Sequence, residues 1–535
     1  MKRNDLTHKL FPLSLCLAAL LSGCAQTETT QMTPTTETPK EVKEYTPDDF
    51  TNERANPVSV SYQTITENRP DETDATIYSS LEFPVVSING NEEVTNVIND
   101  TLSLYQDSYR ENFKKYCDEA AKKRLENPHT FDSYSYISNF HMQRGDERIL
   151  SFTHSEYILG DAENPQQITT TVNFDTKTGA LLTLSDLSDD TKRFLTVLKQ
   201  EIINQCNSTY YLDSFTQKPN SKAFANAVDG ILTDDYWYID HCGVNIVAND
   251  FSLGSMMDGN LIFTVPFAHL DGILKEDYVS DNGFVYPVVY DSMAMNYLND
   301  DEALDAICLT SSITDESGMR TPFIAINGVD YTDAIKKAGI SEFYGLTPYY
   351  YLLDLDESDR FVEFAICDAG LDDINQTYIF RYTGNSVIYL GSITDLPSHT
   401  AEFYGDKTMR SIMRLNAIEM KNAFVTYALK DDAIEMVTPE WYYPEDSLTS
   451  DIYSLHNVLN QFTVYTDKDT SSEAYTLKRA DGPIKILATD NKEWSVIETV
   501  EGKVYFVHLN DGLNIDSDGE SIPSTDLLDN LLIGG

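Results

Sequence analysis

The chain has 535 residues, with 86 Asp and Glu against 38 Lys and Arg, which gives a net charge of −48. This length exceeds what one hydrophobic core usually supports, so about two to four domains are expected. The acidity excludes nucleic acid as a partner, because phosphate binding needs positive charge. The same field attracts cations and cationic proteins, although a solvated acidic surface that maintains solubility explains most of these charges.

The first residues have the organisation of an export signal. Three basic residues within the first nine precede an apolar run at residues 10–21, which is too short to span a bilayer as a helix. The segment Leu21-Ser22-Gly23-Cys24 then resembles the lipobox of bacterial lipoproteins. This resemblance implies a signal peptide at residues 1–23, lipid on Cys24 and attachment to the extracytoplasmic face of the cell membrane. The alternative is a plain secretory signal with a chance cysteine.

Residues 24–57 are rich in Thr, Glu and Pro and contain few large apolar side chains. Such a segment buries too little surface to offset its ordering entropy, so we predict a disordered spacer that holds the folded part away from the lipid. Without residues 1–23 the chain carries 35 basic and 85 acidic side chains, a net charge of −50.

Five further cysteines are widely spaced and odd in number, and they show neither a disulfide framework nor a zinc spacing. We expect buried free thiols, with one or two bridges as the alternative in an exported protein. These residues are Cys117, Cys206, Cys242, Cys308 and Cys367.

The sequence pattern of residues 75–275 predicts an α+β module in which helices pack on one face of a mainly antiparallel sheet. Alternating residues indicate strands at 79–88, 133–140, 149–157, 168–174, 243–247 and 261–267. The first strand precedes a long helix whose apolar stripe recurs at steps of three and four: Val94, Ile98, Leu102, Tyr105, Tyr109, Phe113, Tyr116 and Ala120. A second helix presents Phe194, Leu195, Val197, Leu198, Ile202 and Ile203.

Three segments of this module carry a family resemblance. The first is Phe83-Pro84-Val85-Val86, before the long helix. The second is the turn and the residues after it at 174–187, which end in Leu182-Thr183-Leu184-Ser185-Asp186-Leu187. The third is the strand at 259–267. Together they resemble the PdaC-type plus RsiV-type extracytoplasmic module, found in peptidoglycan deacetylases and in a lysozyme-sensing anti-sigma factor. The resemblance implies a fold and an envelope location, whereas the motif positions themselves are fold determinants and not catalysts.

The sequence of residues 284–465 predicts a β-rich region in which residues 348–390 form a meander of consecutive strands. The loop Asp354-Leu355-Asp356-Glu357-Ser358-Asp359 resembles the acidic loops of integrin-like VCBS or FG-GAP repeats, which bind calcium. Calcium takes six to eight oxygen ligands, so Asp354, Asp356, Asp359 and Glu363 are the candidate ligands. A solvated turn between strands is the alternative.

Residues 470–515 resemble a bacterial SH3-like barrel through Asp481-Gly482-Pro483 and the strands that follow, which include Trp494. The resemblance implies a module that binds cell-wall peptides or other proteins. Trp494 is expected in the core more than on a ligand platform. The fold class is therefore α+β in the N-terminal module, followed by a mainly-β region that ends in an SH3-like barrel.

Known catalytic motifs, including the nucleophile elbow, the Walker loop and the zinc-protease pair of histidines, do not occur in the sequence. No catalytic residue is predicted. We expect a lipid-anchored surface protein of the bacterial envelope that binds a cell-wall component or a cationic protein such as lysozyme. The alternative is a hydrolase that cleaves cell-wall polysaccharide or peptide through a pair of carboxylates.

Overall fold

A computed structural model of the chain describes residues 45–50, 57–69, 77–126, 128, 133–160, 166–207, 215, 218–249, 252–253, 260–280, 284–301, 303–313, 320–340, 343–370, 375–444 and 455–533. The signal sequence, Cys24 and the spacer up to residue 44 lie outside the described residues. From Tyr45 onwards the chain belongs to one compact unit. The described part is mostly β, with a few helices.

The first sheet has five strands in chain order, and one long helix crosses over it. The strands are β1 (Val58–Arg69), β2 (Ile77–Ile88), β3 (Tyr134–Gly145), β4 (Ile149–Leu159) and β5 (Gln166–Asp175), and the helix is α1 (Glu92–Glu126). Neighbouring strands are antiparallel except β2 and β3, which are parallel. A parallel pair needs a long crossover connection, and α1 supplies it. The expected sheet is therefore mixed, and it begins at Val58, before the predicted start at residue 75.

The predicted apolar stripe of α1 is confirmed. Six residues of the stripe are buried against the sheet: Val94, Ile98, Leu102, Tyr109, Phe113 and Ala120. Tyr105 and Tyr116 pack against the same core and are partly buried. These side chains are buried together because the 3.6-residue period places them on the face of the helix that lies against the sheet.

The next elements complete the N-terminal part. They are α2 (Thr191–Cys206), α3 (Lys222–Ile231), β6 (Trp237–Ile239), β7 (Gly243–Ala248) and β8 (Leu261–Pro266), and the three strands form one antiparallel sheet. The side chain of Asp190 caps α2 by accepting from the backbone N–H of Arg193. The second predicted helix and the strands at 243–247 and 261–267 are thus present.

The middle of the chain forms two antiparallel sheets. The elements are β9 (Val285–Val289), β10 (Met293–Asn296), β11 (Asp305–Ile313), β12 (Arg320–Ile326), β13 (Val329–Asp330), α4 (Asp333–Lys337), β14 (Tyr349–Leu353), β15 (Glu363–Ala369), β16 (Asn375–Tyr382) and β17 (Val387–Thr394). One sheet has the order β17-β16-β15-β14-β9 and the other has the order β10-β11-β12-β13. The predicted meander of consecutive strands is confirmed by the pairs β14–β15, β15–β16 and β16–β17.

Two more sheets follow towards the C-terminus. The elements are β18 (Glu402–Phe403), β19 (Thr408–Ala417), β20 (Glu419–Lys430), β21 (Ala433–Val437), β22 (Leu455–His456), β23 (Phe462–Tyr465), β24 (Ala474–Leu477), β25 (Ile484–Thr489), β26 (Trp494–Thr499), β27 (Val504–Asp511), β28 (Asn514–Ser517), β29 (Glu520–Pro523) and α5 (Ser524–Leu527). Strands β18–β21 form one sheet in chain order. The remaining eight strands form the other, with the path β22-β25-β26-β27-β23-β24, with β28 beside β27 and with β29 beside β28.

The largest hydrophobic core joins the N-terminal and middle parts of the chain. It contains Leu198 of α2, Val244 of β7 and Leu353 of β14, and it extends to Leu415 of β19 in the sheet that follows. The Tyr349 hydroxyl, on β14, also accepts a hydrogen bond from the backbone N–H of Thr264 at 2.9 Å. Shared burial of this kind couples the stability of the two parts.

A short segment at the end of the predicted spacer is folded. Residues Pro47–Phe50 form a turn of 3-10 helix, and Phe50 is buried beside Trp441 and Phe506, with ring centroids 5.7 and 5.8 Å away. Tyr45 packs on Phe506 and its hydroxyl donates to Asp467. The prediction of disorder over 24–57 is therefore wrong for residues 45–50, because two aromatic side chains there find an apolar surface in a distant part of the sequence.

Within the described residues, no helix is long and apolar enough to cross a membrane.

Candidate functional site

The predicted calcium loop joins β14 to β15. Asp354 follows directly after β14, and Glu363 is the first residue of β15. Asp356 and Asp359 lie in the turn between them, where each accepts a hydrogen bond from a backbone N–H two residues further on. Such Asx turns shape the loop from within.

A buried cation lies beside this loop. Arg381 on β16 donates from Nε to Oε1 of Glu363 at 2.7 Å, and its NH2 group is 2.5 Å from the same oxygen. Its NH1 group is 2.7 Å from the Oδ1 atom of Asp432. The guanidinium also stacks over the ring of Phe361, at 4.6 Å from the centroid. Arg381 therefore neutralises Glu363 inside the fold and ties β16 to the turn that contains Asp432.

The turn that contains Asp432 has an unusual backbone conformation, which its residue types explain. Asp431 and Asp432 form the two-residue loop between β20 and β21, with φ angles of 49° and 61°. Two consecutive residues at positive φ are typical of a type I′ hairpin turn, and Asp tolerates this region better than most residues. The turn directs the Asp432 carboxylate to Arg381 across the sheets.

The other candidate ligands have partners of their own. Asp356 forms an ion pair with Lys407 at 2.9 Å and accepts from the hydroxyl of Ser358. Asp354 accepts from the backbone N–H of Asp356 at 3.1 Å. Within the described ranges, His, Cys, Asp and Glu residues form no group of three or more arranged to hold a metal ion. The four predicted calcium ligands are thus held by cations and N–H groups and are not brought together as a metal cluster.

The pKa directions follow from these contacts. Burial raises the pKa of Glu363, although Arg381 and the backbone N–H of Leu355 oppose this. Burial also raises the pKa of Asp354. For Asp356, desolvation is outweighed by Lys407 and Ser358, which lower the pKa of this carboxyl. The sequence indicated the carboxylates but missed Arg381 and Lys407; the signal for Arg381 was one charge between Phe380 and Tyr382 in an apolar strand.

A second buried polar group lies where the first sheet meets β6 and β7. Arg144 is almost fully buried, with Nε 2.6 Å from Asp146, and NH1 donates to the carbonyl of Tyr278 at 2.8 Å. Asp240 accepts from the backbone N–H of Cys242 at 2.7 Å, yet burial raises the pKa of Asp240 to about 6. Since Asp240 is 1% exposed, substrate does not reach it. These contacts position the chain at this junction.

A third polar group lies beneath α1. The hydroxyl of Ser138 is 2.6 Å from Nε2 of His154, and the ring of Phe140 stacks on the imidazole. Tyr136 donates to Glu156 next to them. Burial lowers the pKa of His154 to about 4, with Glu156 opposing. Serine beside histidine is the arrangement of an activated nucleophile, but Ser138 is 1% exposed, so this pair satisfies buried polar groups in the core.

Trp494 lies in the core, as predicted. Its side chain is buried, and its ring lies 5.8 Å from Tyr465 and 4.7 Å from His508. The five cysteines form no disulfide with one another in this structure. Cys206, Cys242 and Cys367 are buried, as expected, whereas Cys117 and Cys308 are only half-buried.

A small cavity of about 260 Å³ lies at the C-terminal sheet. Its lining mixes polar and apolar residues and contains no recognisable catalytic grouping: Asn457, Val458, Leu459, Arg479, Gly482 and Asp529. Ligand pockets that enclose small molecules are usually larger and more apolar.

Comparison with known proteins gives little beyond partial structural likeness. No protein-family model matches the chain, and no curated protein matches it. A solved structure of a DUF3298-family protein from Bacteroides fragilis NCTC 9343 has 13% sequence identity and a TM-score of 0.34; the match covers 42% of this chain and 96% of that one. A DUF3298-family protein from Pseudomonas aeruginosa PAO1 has 10% identity and a TM-score of 0.28, with 42% and 98% covered. Similarity at this level supports no argument about activity.

Proposed function

We propose that this chain is a lipid-anchored protein of the bacterial envelope that binds a cationic protein, such as lysozyme, or a component of the cell wall. The observation that carries the proposal is the excess of 48 negative charges. The buried carboxylate of Glu363 is paired with Arg381, and such a pair carries no net charge. The excess therefore comes from carboxylates outside such pairs. An acidic surface raises the local concentration of basic partners and speeds their encounter.

The anchor belongs to the same proposal. Cys24, preceded by Leu21-Ser22-Gly23, accepts the lipid, and the spacer that follows carries the folded part on the extracytoplasmic side. Tyr45 and Phe50 pack on the C-terminal sheet, so the spacer available to the tether ends at residue 44. Radiolabelled palmitate fed to expressing bacteria labels the wild-type chain and leaves Cys24→Ala unlabelled. Equal labelling of both chains contradicts the anchor.

The finer module assignments are also part of the proposal. We assign residues 75–275 to the PdaC-type plus RsiV-type module, residues 284–465 to an integrin-repeat-like region and residues 470–515 to an SH3-like barrel. Support comes from the sequence motifs of each region, from the confirmed meander at β14–β17 and from the antiparallel pairing of β25, β26 and β27.

Binding is tested with purified protein lacking residues 1–23 and with Cys24→Ser to remove the lipid site. Lysozyme immobilised on beads retains this protein at low salt and releases it as salt is raised. Succinylated lysozyme, which has the same fold with its lysine charges reversed, is the matched control and retains nothing. Equal retention by the two forms, or no retention by lysozyme, contradicts the electrostatic proposal.

Hydrolysis of cell-wall polymer through carboxylates is the competing prediction from the sequence. No described arrangement favours it. Of the carboxyls with raised pKa, Asp240 and Glu363 are 1% and 0% exposed, and the half-buried Asp354 accepts a hydrogen bond from the backbone N–H of Asp356 in the loop after β14. Incubation with purified peptidoglycan distinguishes the two functions. Fragment release that disappears when one acidic pair is mutated replaces the binding proposal with hydrolysis.

A further inference from the structure

Strand β10 lies at one edge of the four-stranded sheet β10–β13. It pairs with β11 on one side, and among the described residues no strand pairs with its other side. An edge strand presents unpaired N–H and C=O groups, which are a template for one more strand. Proteins usually protect such an edge with Lys or Pro, but β10 reads Met-Ala-Met-Asn.

The outward face of this sheet is apolar as well. Met293 and Met295 of β10 are 66% and 54% exposed, and Phe323 of β12 is 41% exposed. The register places Met293 opposite Cys308 and Phe323 opposite Thr310, so these side chains share one face. The opposite face is the buried one, where Ile307, Leu309, Ile324 and Ile326 are at most 1% exposed.

Exposed apolar side chains gathered on one sheet face mark an interaction surface more often than a solvated one. Methionine is suited to such a surface because its unbranched, polarisable side chain adapts to different partners. The free edge and the apolar face adjoin at Met293 and Met295. A strand added to β10 therefore gains backbone hydrogen bonds and side-chain contacts together.

The charge around this surface has one sign. Between residues 276 and 319 the sequence has ten Asp and Glu and no Lys, Arg or His. Asp291 precedes β10, and Asp300 and Asp301 follow it with exposed side chains. Basic side chains that flank an incoming strand meet carboxylates at both ends of β10.

We propose that the free edge and methionine face of β10 bind an extended, basic segment of another protein as a fifth strand. The segment carries apolar side chains at alternate positions, which contact Met293 and Met295, and Lys or Arg towards its two ends, which meet Asp291 and the Asp300–Asp301 pair. This inference rests on the proposed binding of cationic proteins and assigns it a surface. A second copy of this chain is a poor occupant, because two chains of net charge −48 repel each other.

The test uses a synthetic peptide of about ten residues in which Lys and Val alternate, the period that a strand requires. Its affinity for the full mature protein carrying Cys24→Ser is measured by fluorescence anisotropy. Met295→Lys places a like charge and a polar group on the proposed face, and we expect binding to weaken about tenfold or more. Met436→Lys is the matched control: Met436 is 37% exposed on β21, the charge change is identical, and we expect a change of about twofold or less.

The outcomes separate this inference from the proposed function. If lysozyme is retained in a salt-sensitive way but Met295→Lys and Met436→Lys bind the peptide equally, the β10 surface is wrong and the proposed function stands. If the protein with an unsubstituted β10 binds neither lysozyme nor the peptide, the proposed function and this inference both fail. If analytical ultracentrifugation shows a dimer that Met295→Lys dissociates, the occupant is a second copy and the inference is overturned.

Discussion

The guanidinium of Arg381 and the carboxylate of Glu363 face each other on neighbouring strands, with Nε and Oε1 2.7 Å apart and both side chains buried. A buried ion pair is more stable when each charge neutralises the other and further hydrogen bonds reach the same two groups. Here Asp432 fills one side of Arg381, and the N–H of Leu355 fills the second oxygen of Glu363. The segment predicted to bind calcium is therefore held by the protein's own cation.

Removing one partner of this pair is expected to be costly. Arg381→Met leaves the buried Glu363 carboxylate without its cation, so we expect the free energy of unfolding to fall by about 3–5 kcal/mol. Urea unfolding followed by tryptophan fluorescence measures the change. Asp432→Asn is the control, because Asp432 has an exposed side chain, and an exposed ion pair contributes about 0–1 kcal/mol. A loss below about 1 kcal/mol for Arg381→Met contradicts this account of the network.

Calcium is expected to have little effect on the same loop. Asp356 is paired with Lys407, and Glu363 is paired with Arg381, so an ion has to displace two cations before it gains its oxygen ligands. Isothermal titration of calcium into the wild type should give no binding heat, and Asp356→Ala should behave in the same way. A saturable heat with one site per chain, lost in Asp356→Ala, restores the calcium site.

His154 should make stability depend on pH. Burial lowers its pKa to about 4 from an ordinary value of 6.5, so between these values the unfolded chain binds a proton that the folded chain does not. The stabilisation is complete above pH 6.5 and is lost as the pH falls towards 4, by about 3 kcal/mol in total. His241, whose pKa burial also lowers to about 4, adds a contribution of the same sign.

The measurement is the unfolding midpoint between about pH 7 and pH 4 for the wild type and for His154→Gln. Glutamine keeps a hydrogen-bonding group near Ser138 but does not titrate. The His154→Gln variant should therefore lose less stability than the wild type as the pH falls. His141→Gln on the exposed side of β3 is the control and should follow the wild type. Identical pH profiles for the wild type and His154→Gln disprove the assignment.

Phe50 should hold the start of the folded chain on the C-terminal sheet. Phe50→Ala removes a buried ring from contact with Trp441 and Phe506, so we expect residues 45–50 to detach and Trp441 to become more exposed. The fluorescence emission should shift to longer wavelength, and trypsin should cleave faster after Lys43. Phe50→Leu retains an apolar side chain, so the emission wavelength and the rate of cleavage should change less than in Phe50→Ala. No change in either measurement for Phe50→Ala contradicts the docking.

The features that the sequence predicted well depend on local periodicity. The stripe on α1 was readable because Val94, Ile98 and Leu102 recur at the helical period. The meander of β14–β17 was readable because short apolar strands alternate with polar turns. Trp494 was placed in the core because a tryptophan in an apolar strand usually packs there.

The features that the sequence did not reveal depend on distant pairings. The parallel pairing of β2 with β3 follows from where α1 crosses the sheet, and the strand residues alone do not encode it. Asp356 meets Lys407 and Glu363 meets Arg381 only after sheets pack together. A cluster of carboxylates in sequence therefore resembled a metal site, although in the folded chain Asp356 and Glu363 are each paired with a cation.

The central claim is that the negative charge of this protein binds cationic partners, and calorimetry with lysozyme at a series of salt concentrations tests it most directly. We expect measurable binding at about 50 mM salt and an affinity at least about tenfold weaker near 300 mM, because screening shortens the reach of exposed charges. Absence of binding at the lowest salt, or an affinity that does not change across the series, contradicts the claim.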